Sequence, residues 1–302
     1  MSLVEIKRLT KKFGKFTALD NIDLSVDAGE IYGFIGPNGA GKSTTIRILL
    51  GILKPTAGKV TIMGKNAWKD SVEVHKKIAY VPGEANLWPN LTGGEVIDLF
   101  LHLRGNSSQK RKDELIERFD LDPSKKCRTY SKGNRQKIAI ISAFASESDL
   151  YILDEPTSGL DPLMERIFQD YVQEFKKEGK SVFLSSHILS EVEKLCDKVA
   201  IIREGKIIDT GTLDKMRHLT RTKISVATRK PLSNIDSLKG IHNIQKKDGL
   251  WEFQVDSEEL GSIIRYISEF EIKTLESAPP ALEDLFLRHY ESSTPSNTGG
   301  KK

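Results

Sequence analysis

The chain has 302 residues, enough for one large domain or two with a substantial core. Its 46 basic and 42 acidic residues leave a formal charge of +4, too small beside 29% charged residues to point to a nucleic-acid partner. With 38% hydrophobic residues and a mean hydropathy of −0.35, the composition suits a soluble globular protein. The best apolar run, residues 138–145, falls far short of the roughly 20 residues a bilayer span needs. The first residues, Glu5 among them, predict no secretory signal. Cys127 and Cys196 lie far apart without a Cys-x-x-Cys spacing, which excludes a disulfide framework or zinc cluster and suits a reducing cytosol.

Val4 and Ile6, then Ile22, Leu24 and Val26, alternate with polar residues as strands do, and Asp27-Ala28-Gly29 turns the chain into a buried strand over 30–35. A glycine-rich loop leads into a helix from residue 42 to about 51, with Pro55 beyond it, and 59–63 reads as another strand. Between about 85 and 145 the periodicity is helical. Val96, Leu99, Phe100 and Leu103 share one face of a helix over 92–103, and 131–145 forms a second. Strands return at 150–153 and 182–185 and in a hairpin over 199–208 turning at Glu204-Gly205-Lys206, with helices over 162–177 and 188–195. This alternation predicts an α/β domain over 1–218, its parallel sheet covered on both faces, with a helical subdomain inserted at about 85–145.

Beyond His218 the predicted order is βαββαβα. A strand over 224–227 is followed by a short helix at 234–238 and a hairpin over 241–255 turning at Asp248-Gly249. A helix over 258–270, a strand over 272–275 and a helix over 282–289 complete it. That order resembles a small ferredoxin-like module and defines an α+β accessory domain over 219–290. Residues 291–302, dominated by Ser, Thr, Pro, Asn, Gly and Lys, read as a disordered tail.

Gly36-Pro37-Asn38-Gly39-Ala40-Gly41-Lys42-Ser43 fits G-x-x-x-x-G-K-[ST] at every position, sits between a strand and a helix, and is followed by Thr44. Glycines let backbone N–H groups curl around phosphate oxygens, and the helix N-terminus adds a partial positive charge. Lys42 can reach β- and γ-phosphates, and the Ser43 hydroxyl can ligate Mg²⁺. The run Leu150-Tyr151-Ile152-Leu153 ends in Asp154-Glu155, so both carboxylates emerge at a strand's C-terminal end, where open α/β sheets bind ligands. Asp154 is the candidate Mg²⁺ holder and Glu155 the candidate that polarises an attacking water.

Between these motifs lies Tyr130-Ser131-Lys132-Gly133-Asn134, which resembles the Leu-Ser-Gly-Gly-Gln signature of the ABC ATPases. Pro156-Thr157-Ser158-Gly159-Leu160-Asp161-Pro162 is similar to that family's D-loop, His187 to its switch histidine, and Phe13 to the aromatic that stacks on adenine. Alone, Ser131 would read as a helix N-cap, His187 as a surface or hydrogen-bonded histidine and Phe13 as core. The resemblance covers about residues 3–217, with the motifs in the family's order. The C-terminal module and its Leu282-Glu283-Asp284-Leu285-Phe286 ending look like the ATP-binding subunits of bacterial ABC-2-type exporters.

The resemblance implies a P-loop ATPase that sandwiches two ATP molecules between two chains, a second identical copy being the simplest arrangement. Ser131, Gly133, Asn134 and Asp161 would then complete the nucleotide site of the other copy, while Glu155, His187 and Lys42 carry hydrolysis. It further implies a separate integral membrane subunit that the chain powers from the inner face of the cell membrane. Two positions depart from the family. Gly83-Glu84 stands where the family's glutamine loop has Gln, with Glu84 a partial substitute, and in the signature Lys132 replaces the first Gly and Asn134 the Gln. Leu87-Trp88-Pro89-Asn90-Leu91 reads as a docking edge for the membrane subunit, with Trp88 packing under the helices as the other reading. The alternatives to an exporter ATPase are a soluble ABC-type ATPase acting on ribosomes or DNA, or a poorly hydrolysing ATP-dependent regulator. The first lacks the tandem domains or long coiled coil of such proteins; the second is motivated by Gly83.

Overall fold

Two long strands, β1 (Ser2–Phe13) and β2 (Phe16–Asp27), pair antiparallel. Val4, Ile6 and Leu9 of β1 and Leu19, Ile22, Leu24 and Val26 of β2 are buried, but the register shifts beside Arg8 and Asn21, whose φ values are 46° and 52°. Those bulges interrupt the two-residue period, so sequence alternation reveals only parts of each strand. The computed structural model describes residues 2–105, 108–218, 221–247, 249–256 and 258–278.

Next come β3 (Ile31–Ile35), α1 (Lys42–Leu49), β4 (Ala57–Ile62), β5 (Lys65–Asn66), α2 (Ser71–His75) and β6 (Ile78–Val81). β6 is too short to stand out in sequence. The helical region holds α3 (Gly93–Arg104), α4 (Gln109–Arg118), a 3-10 turn at Cys127–Thr129 and α5 (Lys132–Phe144). Thr92 and Glu95 start α3 as a reciprocal capping box: the Glu95 N–H donates to Thr92 Oγ1 at 3.1 Å and the Thr92 N–H to Glu95 Oε2 at 2.6 Å. Then follow β7 (Leu150–Asp154), α6 (Pro162–Lys177), β8 (Ser181–Ser186), α7 (Leu189–Leu195), β9 (Lys198–Arg203) and β10 (Lys206–Thr212). Glu204 and Gly205, at φ 49° and 75°, make the two-residue turn between β9 and β10.

β2-β1-β4-β5 forms one sheet and β10-β9-β3-β8-β7-β6 the other, with β9-β3-β8-β7-β6 parallel throughout. This order decides where chemistry can happen. Ile35, the end of β3, lies opposite Ser186 of β8, and Ser185 lies opposite Asp154 of β7. The loop after β3 and the acids after β7 therefore leave the same edge of the sheet with β8 between them. An aromatic cluster fixes α5 and α6 on β7: Tyr151 stacks on Phe175 with centroids 4.1 Å apart, and Phe144 meets Phe175 edge-on at 4.8 Å.

By contacts the chain divides into two units, Met1–Gly211 and Thr212–Lys302. The division precedes the boundary expected after His218, because α8 (Leu213–His218) groups with the second unit. That unit continues through β11 (Thr222–Thr228), a 3-10 turn at Ile235–Ser237 in place of the expected helix, β12 (Ile241–Lys247), β13 (Leu250–Val255), α9 (Leu260–Ser268) and β14 (Ile272–Ala278). Its antiparallel order β12-β13-β11-β14 interleaves two strand–crossover–strand units over a core of Ile224, Val226, Phe253, Val255, Ile263 and Ile267. Asp248 of the expected turn, the expected helix over 282–289 and the expected tail over 291–302 lie outside the described residues. Among the described residues no helix is long and apolar enough to cross a membrane.

Candidate functional site

The loop after β3 is held open by its backbone. Gly39 and Gly41 have φ of 81° and 114°, and a Cβ on Gly36 would fall 2.3 Å from the Ile202 carbonyl oxygen, so position 36 admits only glycine. Ala40 is buried, and its carbonyl accepts from the Gly205 N–H at 3.0 Å, tying the loop to the β9–β10 turn. Lys42 opens α1 and is only 5% exposed; its ammonium donates to the Gly36 and Pro37 carbonyls at 2.6 and 3.2 Å. It also pairs with Glu155 Oε1 at 3.2 Å. Burial without these partners would be costly for a cation. Ser43 is exposed and Thr44 half-buried. A groove of about 330 Å³ gathers Phe13, Pro37, Asn38, Gly39, Gly41, Lys42, Ser43, Thr44 and Glu155, with Phe16 and Ala18 beside them.

Asp154 is buried and accepts from Ser185 Oγ at 2.5 Å. Glu155 has φ 46°, uncommon for a residue with a side chain, and its N–H donates to the Ser185 carbonyl at 3.0 Å. Its carboxylate spans two cations or potential cations, Lys42 through Oε1 and His187 Nδ1 through Oε2, each at 3.2 Å. Tyr80 on β6 is half-buried, and burial together with the Asp154 charge pushes its phenol up to about 12.

The signature-like residues do not line this groove. Ser131 caps α5, accepting from the Asn134 N–H at 3.2 Å, and Asp161 caps α6, accepting from the Leu163 and Met164 N–H groups at 3.0 Å each. A Cβ on Gly133 would lie 2.4 Å from the Gly159 carbonyl oxygen, and Lys132 Nζ donates to Ser158 Oγ at 2.8 Å. Signature and D-loop segments are thus packed directly on each other within one chain. The glycine at 133 is required for that approach.

The departures resolve unequally. A Cβ on Gly83 would sit 3.0 Å from the Asp154 carbonyl oxygen, so position 83 abuts the acidic strand end. Glu84 is exposed and lines a different groove with Arg128, Lys132 and Arg135. Trp88 is 51% exposed, its ring 6.0 Å from Phe100, and so is not packed under the helices.

Four residues escaped sequence reading. Phe16 pairs with Phe13 across the Gly14-Lys15 turn, and two aromatics flanking a two-residue turn were the available signal. Gln136 shares a buried helical face with Ala139, Ile140 and Ala143, a polar residue in an apolar stripe. Ser185 and Glu191 had no signal. Glu191 is buried, accepts from Ser186 Oγ at 2.7 Å next to His187, and has its carboxyl pushed up by burial.

A phosphate loop and a strand-end carboxylate pair at one edge of a parallel sheet define a P-loop nucleoside triphosphatase. The ABC transporter family model matches residues 19–158, and that of the ATP-binding protein DrrA1-3-like C-terminal domain matches residues 211–290. The uncharacterized ABC transporter ATP-binding protein YhaQ of Bacillus subtilis is 31% identical over 293 residues, 94% of this chain and 97% of that protein. The bacitracin transport ATP-binding protein BcrA of Bacillus licheniformis is 36% identical over 223 residues, 73% of each. A solved ATP-binding subunit of an ABC transporter superposes with a TM-score of 0.67 at 34% identity, covering 72% of this chain and 93% of the other. A dimeric post-hydrolysis cassette bound to ADP and Pi gives 0.64 at 28% identity, covering 70% and 98%. The chain belongs to the ATP-binding proteins of ABC transporters, and it binds and hydrolyses ATP.

Phe13 is half-exposed in the groove, with Lys11 Nζ 4.8 Å from its ring centroid. Stacking of a base on such a ring is worth about 1–3 kcal/mol. Phe13→Ala is accordingly expected to raise the ATP dissociation constant by about 5- to 150-fold with kcat at saturation unchanged. Nucleotide titration alongside steady-state kinetics checks this; a fall in kcat at unchanged affinity contradicts it.

Proposed function

We propose that the chain is the ATP-hydrolysing subunit of an ABC exporter. In this reading it works as a head-to-tail pair of identical copies, with Mg²⁺, on the inner face of the cell membrane, coupled to a separate membrane-spanning subunit. The observation that carries the reading is the Glu155 carboxylate, held between Lys42 and His187 at the rim of the phosphate-loop groove.

The N–H groups of the loop and the start of α1 receive the phosphates, and Lys42 reaches the β- and γ-phosphates. Phe13 stacks on the base. Ser43 and Asp154 would hold Mg²⁺: a hydroxyl and a carboxylate are the oxygen donors that ion prefers, and Ser185 fixes the carboxylate. When bound, the ion neutralises charge on the phosphate oxygens. Glu155 polarises the attacking water and takes its proton, and His187 holds that carboxylate in place. Ser131, Gly133, Asn134 and Asp161 face the nucleotide of the other copy, where the N-terminus of α5 favours an anion. The close packing of Gly133 on Gly159 supports a linked movement of signature and D-loop when the copies close.

The membrane subunit docks through an apolar surface. A groove of about 490 Å³ lies between α2 and α3, lined by Val72, Ile78, Tyr80, Phe100 and Leu103. A second, of about 290 Å³, shares Tyr80, Phe100 and Arg104 and extends to Pro82, Ala85 and Leu87. Trp88 stands beside Phe100. The surface suits an amphipathic helix, and the loop that supplies Pro82, Ala85 and Leu87 to it also carries Gly83, which abuts Asp154. Detergent extraction of the tagged chain from its native membranes, with mass spectrometry of what copurifies, is expected to recover a multi-span membrane protein in equimolar amount. Recovery of ribosomal proteins or DNA instead, with the chain absent from membranes, would overturn the exporter reading.

A further inference from the structure

The Gln136 side chain, in the middle of the first half of α5, is 1% exposed. Its Nε2 donates to the Pro82 carbonyl at 2.8 Å and to the Pro156 carbonyl at 3.1 Å. Two carbonyl acceptors use both hydrogens of one amide and fix which end of it faces them. Pro82 follows β6 and opens the loop that lines the second apolar groove. Pro156 follows Glu155. One amide on the signature helix therefore holds the exits of two neighbouring strands of the sheet.

Glu155 is the residue between those restraints that needs them. Its left-handed backbone persists only where the surroundings over-determine it. On one side the Ser185 carbonyl accepts its N–H at 3.0 Å; on the other, Gln136 holds the carbonyl of the next residue. With glycine at position 83, no side chain of that residue can reach from the loop to the Glu155 carboxylate. The polar path from loop to carboxylate runs instead from the Pro82 carbonyl through Gln136 to Pro156.

We infer that Gln136 is a positioning residue for hydrolysis: it fixes the Glu155 turn against both the Pro82 loop and the signature helix, so that movement of either reaches the carboxylate. The inference rests on the assignment of Glu155 as the group that activates water. Gln136 touches no substrate, and its loss should leave ATP affinity alone.

The test is a double-mutant cycle on the purified full-length chain, using ATP with Mg²⁺ and reading kcat, ATP affinity and melting temperature. Gln136→Met keeps the shape without donors; Gln136→Asn keeps an amide on an arm one methylene shorter that cannot hold both carbonyls, a second variant that leaves no charge buried if the first is unstable. Each is expected to lower kcat by about tenfold or more, the scale of a displaced catalytic group, with the ATP dissociation constant changed less than about threefold. In a Glu155→Gln background the same substitutions are expected to change kcat by less than about twofold, because the group they position is already disabled. Undiminished kcat in folded Gln136 variants overturns the inference, as does an equal loss in both backgrounds. A Glu155→Gln chain as fast as the unaltered one removes the assignment beneath it, and the cycle separates that result from the other two.

Discussion

Glu155→Gln is expected to slow ATP hydrolysis by about 10²- to 10⁴-fold, the contribution of a placed general base, while ATP affinity stays within a few-fold. The substitution keeps the size of the side chain and can still hydrogen-bond to Lys42 and His187, each 3.2 Å from the native carboxylate. What it removes is the charge that draws a proton from water. Lys42 loses its ion pair but keeps the Gly36 and Pro37 carbonyls, so the loop should hold its form. Single-turnover hydrolysis with the enzyme in excess, beside a nucleotide-binding titration, separates the two effects. Near-normal single-turnover rates would show that water is activated elsewhere.

Lys42→Ala acts at the other end of the same ion pair and should fail differently. Hydrogen bonds to a charged group are worth roughly 1.5–3 kcal/mol each, so losing contacts to two phosphates is expected to weaken ATP binding by about 10²-fold or more. Removing the cation also strips Glu155 of its Lys42 partner, leaving His187 beside it, which adds repulsion against the γ-phosphate. Turnover should fall to background at any practical ATP concentration. Binding measured by titration with and without Mg²⁺ checks this, and an affinity within threefold of the unaltered chain would contradict the placement of the phosphates on α1.

How much of this was readable from the residues differs from one part to the next. The phosphate loop and Asp154-Glu155 were legible because their chemistry is local: a short motif between a strand and a helix needs no knowledge of distant neighbours. The parallel sheet followed from alternating strands and helices, but its order did not. That β8 lies between β3 and β7, so that Ser185 can hold both Asp154 and the Glu155 backbone, is a fact of long-range pairing. Gln136 is the clearest case. Its partners lie 54 and 20 residues away, and nothing near it in sequence marks it as more than a polar interruption of a buried face. The surroundings of Gly83 and Glu84 were hidden for a related reason. Position in a motif fixes sequence distance, whereas surroundings depend on how the loop leaves β6, and there Gly83 takes the place beside Asp154 while Glu84 lines a groove with Arg128 and Arg135. In β1 and β2, bulges at Arg8 and Asn21 hid long strands from a two-residue period.

A signature segment outside its own chain's groove, packed on its own D-loop, is useful only if a second copy brings it to the nucleotide. The most direct measurement is therefore Mg²⁺-dependent ATP hydrolysis by the purified chain over a wide range of protein concentration, with Lys42→Ala as background. The rate per chain is predicted to rise with concentration until the pair is saturated, and to stay at background for the variant. Full turnover at concentrations where sedimentation shows the ATP-bound chain to be a monomer, or no turnover above the variant, would contradict a site completed by two copies.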